Sequence, residues 1–297
     1  MNGVALGIDI GGTSTKVALV TRTGRVLAVD SRPTLGGVPD AFLPAVMDLA
    51  ASFLRTQPRI DGIGIAVAGL LDERRDRLVY NPNLAPLEGY PLVDAFRARF
   101  REPVALDVDS NAACLAEAQY GAGVGSRRFL SLVVGTGLGG AMTIEGRLVR
   151  LAYQCLGDIG HVIVQPGGPC CGSGCRGCAE ALVSAAALER RGGGRNAREI
   201  IEAAQAGDGA AIQLLADTGR WLGMAIASMA TILFPDTVAI SGGLSEAGDL
   251  LLAPAQRELR ESIAPFVAGR IKIVKACLGW MATVVGAAAG VWTELKD

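Results

Sequence analysis

Short apolar runs at Val4–Ile10 and Thr15–Thr21, with a third at Arg25–Ser31, predict three strands, separated by turn residues at Gly11-Gly12 and Thr23-Gly24. From Asp40, a residue able to cap a helix, the positions Leu43, Val46, Met47, Ala50, Phe53 and Leu54 recur at helical spacing to about Thr56. Gly62–Gly69 then reads as an apolar strand entering a turn, and 81–90 as an irregular stretch of Pro, Asn and Gly. In Val104–Asp109, alternation sets Val104, Leu106 and Val108 on one face and Asp107 and Asp109 on the other, before a helix of small residues from about Ser110 to Tyr120.

The second half repeats the theme. Ser131–Val134 is a buried-type strand, Ala141–Ile144 follows it, and Glu145-Gly146 makes a turn. Beyond a glycine- and cysteine-rich stretch the chain is mostly helical, broken at 192–194. An apolar stripe of Leu215, Leu222, Ile226, Met229 and Leu233 marks a helix over 212–233. Val238–Ser241 and Ile271–Lys275 read as strands, and a helix over Gly286–Leu295 closes the pattern. Strands followed by alternating helix and strand, twice, predict two α/β lobes with a cleft between them.

Composition narrows the classes. Half of the 297 residues are apolar and 19% are charged, enough to bury a large core. A net charge of −1 gives no electrostatic reason to expect nucleic acid or an anionic membrane. The uncharged run Trp221–Pro235 is shorter than the roughly 18–20 residues of a membrane span. Asp9 inside the first apolar run argues against a cleaved signal peptide. Seven cysteines, four of them clustered, fit reduced or metal-bound thiols. A cytoplasmic protein is the expectation.

Four stretches can carry chemistry. Asp9-Ile10-Gly11-Gly12-Thr13-Ser14 places glycines and hydroxyls at a hairpin tip, where backbone N–H groups can face a phosphate, with Asp9 placed to hold Mg²⁺. An ordinary Gly-Gly turn is the competing reading, and no Walker A spacing is present. Gly135-Thr136-Gly137-Leu138-Gly139-Gly140 satisfies G-x-G-x-x-G, but a strand rather than a helix follows, so a second phosphate-contacting hairpin fits better than a dinucleotide fold. Asp107-Val108-Asp109-Ser110-Asn111 ends a strand on a carboxylate suited to act as general base, although Asp109 or Ser110 could equally cap the next helix. Residues 157–180 hold the only histidine, His161, beside Cys170, Cys171, Cys175 and Cys178. A tetrahedral zinc held by His161, Cys171, Cys175 and Cys178 is expected ahead of a redox pair at Cys175-x-x-Cys178, which lacks a thioredoxin-like context, and four protein ligands leave no open position, so the metal would be structural.

Taken together these stretches resemble the ROK family (repressor, open reading frame, kinase), over nearly the whole chain. D-x-G-G-T is matched by Asp9–Thr13, G-T-G-x-G-G by Gly135–Gly140, and E-N-D-x-N-A-A by Asp107–Ala113. E-x-G-H appears as Asp158–His161, and C-x-C-G-x-x-G-C-x-E as Cys171–Glu180. The resemblance implies the two-lobed, actin-like ATPase (ribonuclease H-like) α/β fold with a zinc-binding loop. Its lobes would be 1–108 with about 284–297, and 109–283.

It further implies an ATP- and Mg²⁺-dependent hexose kinase of the glucokinase type, acting at the 6-hydroxyl. Asp109 would be the base, and Asp158, His161 and Glu180 would grip the sugar with Gly69 and Asn81 near its rim. Gly11, Gly12, Thr13, Ser14, Gly135, Thr136 and Gly137 would hold phosphates, and Gly242-Gly243 the adenosine side. An amino-sugar or cyclic-polyol kinase is the alternative; a non-catalytic regulator is a further one, disfavoured because only eight residues precede Asp9. No nucleic-acid or membrane partner is implied, and the family's habit is a homodimer or a dimer of dimers.

Three positions depart from the family pattern. Val108 replaces a sugar-bonding Asn, and Asp158 replaces Glu. Ser173 replaces a zinc Cys, for which Cys175, or failing that Cys170, would substitute.

Overall fold

The computed structural model describes residues 3–57, 59–81 and 83–294. The chain forms two compact units, one of Met1–Val124, Gly146–Leu156 and Trp280–Asp297, the other of Gly125–Glu145 and Gly157–Gly279. The first unit therefore runs past the expected break at 108/109, because the helix that starts at Asp109 packs within it against the helix Ala282–Glu294.

In the first unit, β1 (Val4–Ile10), β2 (Ser14–Thr21) and β3 (Val26–Pro33) form an antiparallel meander. Helix α1 (Pro39–Thr56) leads to β4 (Ile63–Val67), and α2 (Leu92–Arg99) to β5 (Val104–Val108), which runs directly into α3 (Asp109–Tyr120). The sheet order is β3-β2-β1-β4-β5, with β4 parallel to both its neighbours. Asp40 does not cap α1; the helix starts one residue earlier on Pro39, whose fixed φ suits a first helical position.

The two faces of this sheet differ in side-chain size. Leu6, Ile8, Ile10, Ile63, Ile65, Val67, Leu106 and Val108 join Phe42, Val46 and Phe96 in one apolar core. On the other face Gly7 pairs with Gly64 and Gly64 with Ala105, a row of minimal side chains. This lets the helix Ala282–Glu294 sit almost on the backbone: a Cβ on Gly64 would lie 1.7 Å from the Ala287 carbonyl oxygen, and one on Gly7 2.1 Å from that of Val284. The next row along the same face is Asp9, Ala66 and Asp107.

The second unit repeats the plan. β6 (Arg128–Val134) and β7 (Leu138–Ile144) make a hairpin; after α4 (Gly209–Leu233) come β8 (Thr237–Ser241), α5 (Asp249–Ser262) and β9 (Lys272–Lys275). The last four strands of its five-stranded sheet lie in the order β7-β6-β8-β9, the first pair antiparallel and the rest parallel. The Asp208 side chain caps α4 by accepting from Ala210 and Ala211 N–H. Gly219 and Gly223 of α4 face the Leu251 and Ala255 carbonyls of α5 too closely to admit a Cβ. No helix among the described residues is long and apolar enough to cross a membrane.

Candidate functional site

The first glycine hairpin joins β1 to β2. In its register Asp9 opposes Lys16, and Lys16 Nζ lies 2.8 Å from Asp9 Oδ2. The tip is shaped from outside the motif: Thr34 Oγ1 donates to the Gly11 carbonyl at 2.7 Å, and Thr34 N–H donates to the Thr13 carbonyl at 2.9 Å. Thr15 Oγ1 contacts the fully buried Thr34 hydroxyl at 3.0 Å. With the carbonyls of Gly11 and Thr13 so engaged, less negative charge is left at the tip to repel an anion. Lys16 was not singled out from the sequence, although a hairpin register that sets it opposite Asp9 was a signal for it; Thr34, just beyond β3, gave no local signal.

Three carboxylates, Asp9, Asp107 and Asp109, lie at the ends of β1 and β5. Asp107 is buried, and its carboxylate accepts from Arg150 Nη1 and Nη2 at 2.7 and 2.6 Å, from Asn111 Nδ2 at 2.8 Å and from Val108 N–H at 2.7 Å. Asp109 does not share a strand face with Asp107; it is the first residue of α3. Neither Asp109 nor Ser110 caps that helix, since the cap position falls on Val108. Asp109 Oδ1 accepts the Ser110 N–H at 2.6 Å, its one donor among the described residues. Burial, opposed by that bond and reinforced by the charges of Asp9 and Asp107, raises its pKa to about 6. Asp9 and Asp107 each hold a cation, and no cation pairs with Asp109 among the described residues. Arg150 and Asn111 were missed by sequence reasoning, Arg150 because it lies 43 residues from Asp107.

Gly69 and Asn81 lie together at the turn after β4. Gly69 has φ +116°, and a Cβ there would meet the Tyr80 carbonyl oxygen at 2.4 Å. Asn81 is buried and already occupied: its Nδ2 donates to the Ala68 carbonyl and its Oδ1 accepts from Asn83 N–H. Val108 is packed into the apolar core.

In the second unit the β6–β7 hairpin carries Gly135-Thr136-Gly137, closed by Gly135 N–H on the Gly137 carbonyl at 2.9 Å. No helix follows, and Gly139 and Gly140 lie within β7. Glu180 reaches this hairpin: its Oε2 accepts from Leu138 N–H at 3.1 Å and would sit 2.6 Å from a Cβ on Gly137. Gly242 has φ +84° and lies against the Val134 backbone, whereas Gly243 has open space beside its Cα.

The cysteine loop docks on β7 through Gly160, where a Cβ would be 1.8 Å from the Leu138 carbonyl oxygen. His161 Nδ1 lies 3.4 Å from Cys178 Sγ and 3.7 Å from Cys171 Sγ, and ligand atoms of His161, Cys171 and Cys175 lie within 4.8 Å of one another. Cys171 N–H bonds the Cys175 carbonyl across a tight turn, which leaves Ser173 exposed near its tip. Cys170 is exposed and bridges to Arg176 instead. Burial first, then the neighbouring Cys171, raises the thiol pKa of Cys175. Burial is also the largest cause raising that of Cys178. The imidazole nitrogen of His161 and the sulfurs of Cys171 and Cys175 are grouped at a spacing that suits a metal ion such as zinc, with Cys178 Sγ against the same imidazole nitrogen. His161 Nε2 points elsewhere, 3.6 Å from Oδ1 of the exposed Asp158.

A sheet of one topology occurring twice, each copy with a glycine hairpin between its first two strands, defines the actin-like ATPase fold. The chain belongs to the ROK family, whose profile it matches over residues 5–294. It is 31% identical to the glucokinase of Thermotoga maritima over 305 aligned positions, covering 96% of each chain. Among solved structures it is similar to the ROK hexokinase from Thermus thermophilus (TM-score 0.86, 31% identity, 99% of both chains). A further likeness is to a ROK family glucokinase from Streptomyces griseus in complex with glucose and AMPPNP (TM-score 0.79, 29% identity, 96% of this chain and 98% of that one).

Proposed function

We propose that this sugar phosphotransferase is an ATP-dependent hexose kinase that transfers the γ-phosphoryl group to the 6-hydroxyl, with Asp109 as general base. The observation that carries the reading is the division of labour among three carboxylates: Asp9 and Asp107 are ion-paired, and Asp109 alone is left unpaired among the described residues. Ser110 N–H occupies Oδ1, which leaves Oδ2 to accept the proton of the attacking hydroxyl. A base with a pKa near 6 is largely ionised at pH 7 and stronger than an ordinary aspartate.

The backbone N–H groups of Gly12 and Thr13, the Ser14 hydroxyl, Gly11 through the turn that its own N–H closes on the Ser14 carbonyl, and Gly135, Thr136 and Gly137 hold the phosphates, and the open backbone at Gly243 receives the adenosine side beside Gly242. Asp9 keeps Oδ1 free of Lys16 and holds Mg²⁺ directly or through water; when bound, the ion neutralises phosphate charge. Asp158, His161 through Nε2, and Glu180 through Oε1 bond the sugar hydroxyls. Gly69 and Asn81 act on the rim through the backbone turn they fix. Zinc held by His161 Nδ1, Cys171, Cys175 and Cys178 would orient the imidazole and the loop, and take no part in phosphoryl transfer.

The test measures ADP release across hexoses, hexosamines and inositols, for the wild type and for Asp109→Asn. A roughly 10²–10⁴-fold loss is expected in the variant. Near-wild-type turnover by Asp109→Asn sinks the base assignment, and a wild type that releases no ADP with any of these acceptors sinks the kinase reading.

A further inference from the structure

We infer that Arg150 is a positioning residue for the base: it clamps the segment 150–154 onto the strand–helix junction from which Asp109 projects. The inference rests on the reading of Asp109 as general base, and concerns how this chain holds that group still.

The junction lacks the usual device for fixing such a corner. A strand that runs straight into a helix is normally locked by a side chain capping the first turn, and no side chain caps α3. What holds it is the residue before the corner. Asp107 folds back to accept the N–H of Val108, and the same oxygen accepts from Asn111, in the first turn of the helix. Asp107 thereby spans both sides of Asp109. A carboxylate with this many bonds keeps its place only if its charge is met, and Arg150 meets it with both arms of the guanidinium. The pair is nearly shut off from water, with 16% of the Arg150 and 12% of the Asp107 side chain exposed. Loss of one partner would leave the other as an unmatched charge in a poorly solvated place.

The clamp has a second anchor. Asn111 Nδ2 also donates to the Gln154 carbonyl at 2.7 Å, so the segment is tied to the junction at both Arg150 and Gln154. Within this segment Tyr153 and Gln154 hold φ of +56° and +64°, a region that side-chain-bearing residues avoid. Such strain persists where the surroundings over-determine the backbone, and it concentrates at functional sites. Two successive left-handed residues, tied through Asn111 to the helix that Asp109 opens, meet that description.

The expected signature is loss of turnover rather than of nucleotide binding, because a misplaced base matters only when the proton moves. Arg150→Lys decides, since it keeps a cation beside Asp107 and so keeps the fold, but cannot reproduce the planar fork. It should lower kcat about tenfold with the KM for ATP within about twofold and the Tm nearly unchanged, and Arg150→Met should lower kcat about a hundredfold.

Hydrogen exchange supplies a readout independent of turnover: in Arg150→Met, amides of 107–111 and of 151–155 should exchange at least about tenfold faster, together. Wild-type kcat in both variants, or a loss seen entirely as raised KM, overturns the inference. So does exchange that rises in one segment without the other. Failure of the base reading is distinct, because it would show as near-wild-type turnover in Asp109→Asn, and failure of the kinase reading would show in the wild type as no ADP release with any acceptor.

Discussion

Three aspartates lie at the ends of two strands, and their partners decide which can accept a proton. Asp107 is spent on four donors and Asp9 on Lys16, while Asp109 keeps one oxygen without a donor among the described residues. A pH dependence follows. The base must be ionised, so kcat should fall about tenfold per unit as the pH drops below about 6, and a flat profile from pH 5 to 7 would contradict the assignment.

The same shift bears on stability. The folded pKa lies above the ordinary 3.8, so the folded state holds the proton more tightly. The resulting penalty is absent below 3.8, grows as the pH rises through the interval to about 6, and is complete above it. Asp109→Asn should therefore be the more stable protein at pH 7.5, by at most about 3 kcal/mol, with the difference vanishing toward pH 4; urea titrations at the two pH values measure this. At this scale the sequence singled out Asp9, Asp107 and Asp109 as carboxylates at strand ends. It did not show Arg150 or Thr34, whose partners lie 43 and 23 residues away.

The loop Gly157–Cys178 shows how an element without regular structure is held. It has one short helical turn at Ile159–His161, and its shape rests on Gly160 against β7, on Gly177 at φ +70°, and on the thiol–imidazole cluster. Cys178→Ser should leave less than about half an equivalent of metal after preparation without chelator, and lower the Tm by several degrees. Elemental analysis and calorimetry are the measurements. A full equivalent of zinc in that variant would count against Cys178 as a ligand. The cysteine spacing made the cluster readable. That Cys175 and not Cys170 joins it depended on a tight turn, which brings Cys175 back beside Cys171 and leaves Cys170 on the outside.

At the scale of the whole chain, the helix Ala282–Glu294 returns to the sheet that holds β1. Its two glycines offer an internal comparison. A Cβ on Gly286 would lie 1.7 Å from the Ala112 carbonyl oxygen of α3, whereas Gly290 has nothing within 4 Å. Gly286→Ala should destabilise by about 2 kcal/mol or more through overpacking, and Gly290→Ala should stabilise by about 0.5–1 kcal/mol through helix propensity. Equal effects in chemical denaturation would refute the close-packing account.

The local pattern of the chain determined a good deal unaided. Apolar alternation and glycine turns located the strands, the absence of a helix after Gly140 excluded a dinucleotide fold, and ordered motifs pointed to the family. These are short-range properties, set by periodicity and by the backbone freedom of glycine. The tertiary structure decided the rest: where the first unit ends, that Asp109 opens a helix instead of sharing a face with Asp107, that Val108 belongs to the core, and that Asn81 is occupied by backbone. Each of these depends on which distant groups arrive within hydrogen-bonding or packing distance. No window of sequence holds both partners of a contact such as Arg150 with Asp107.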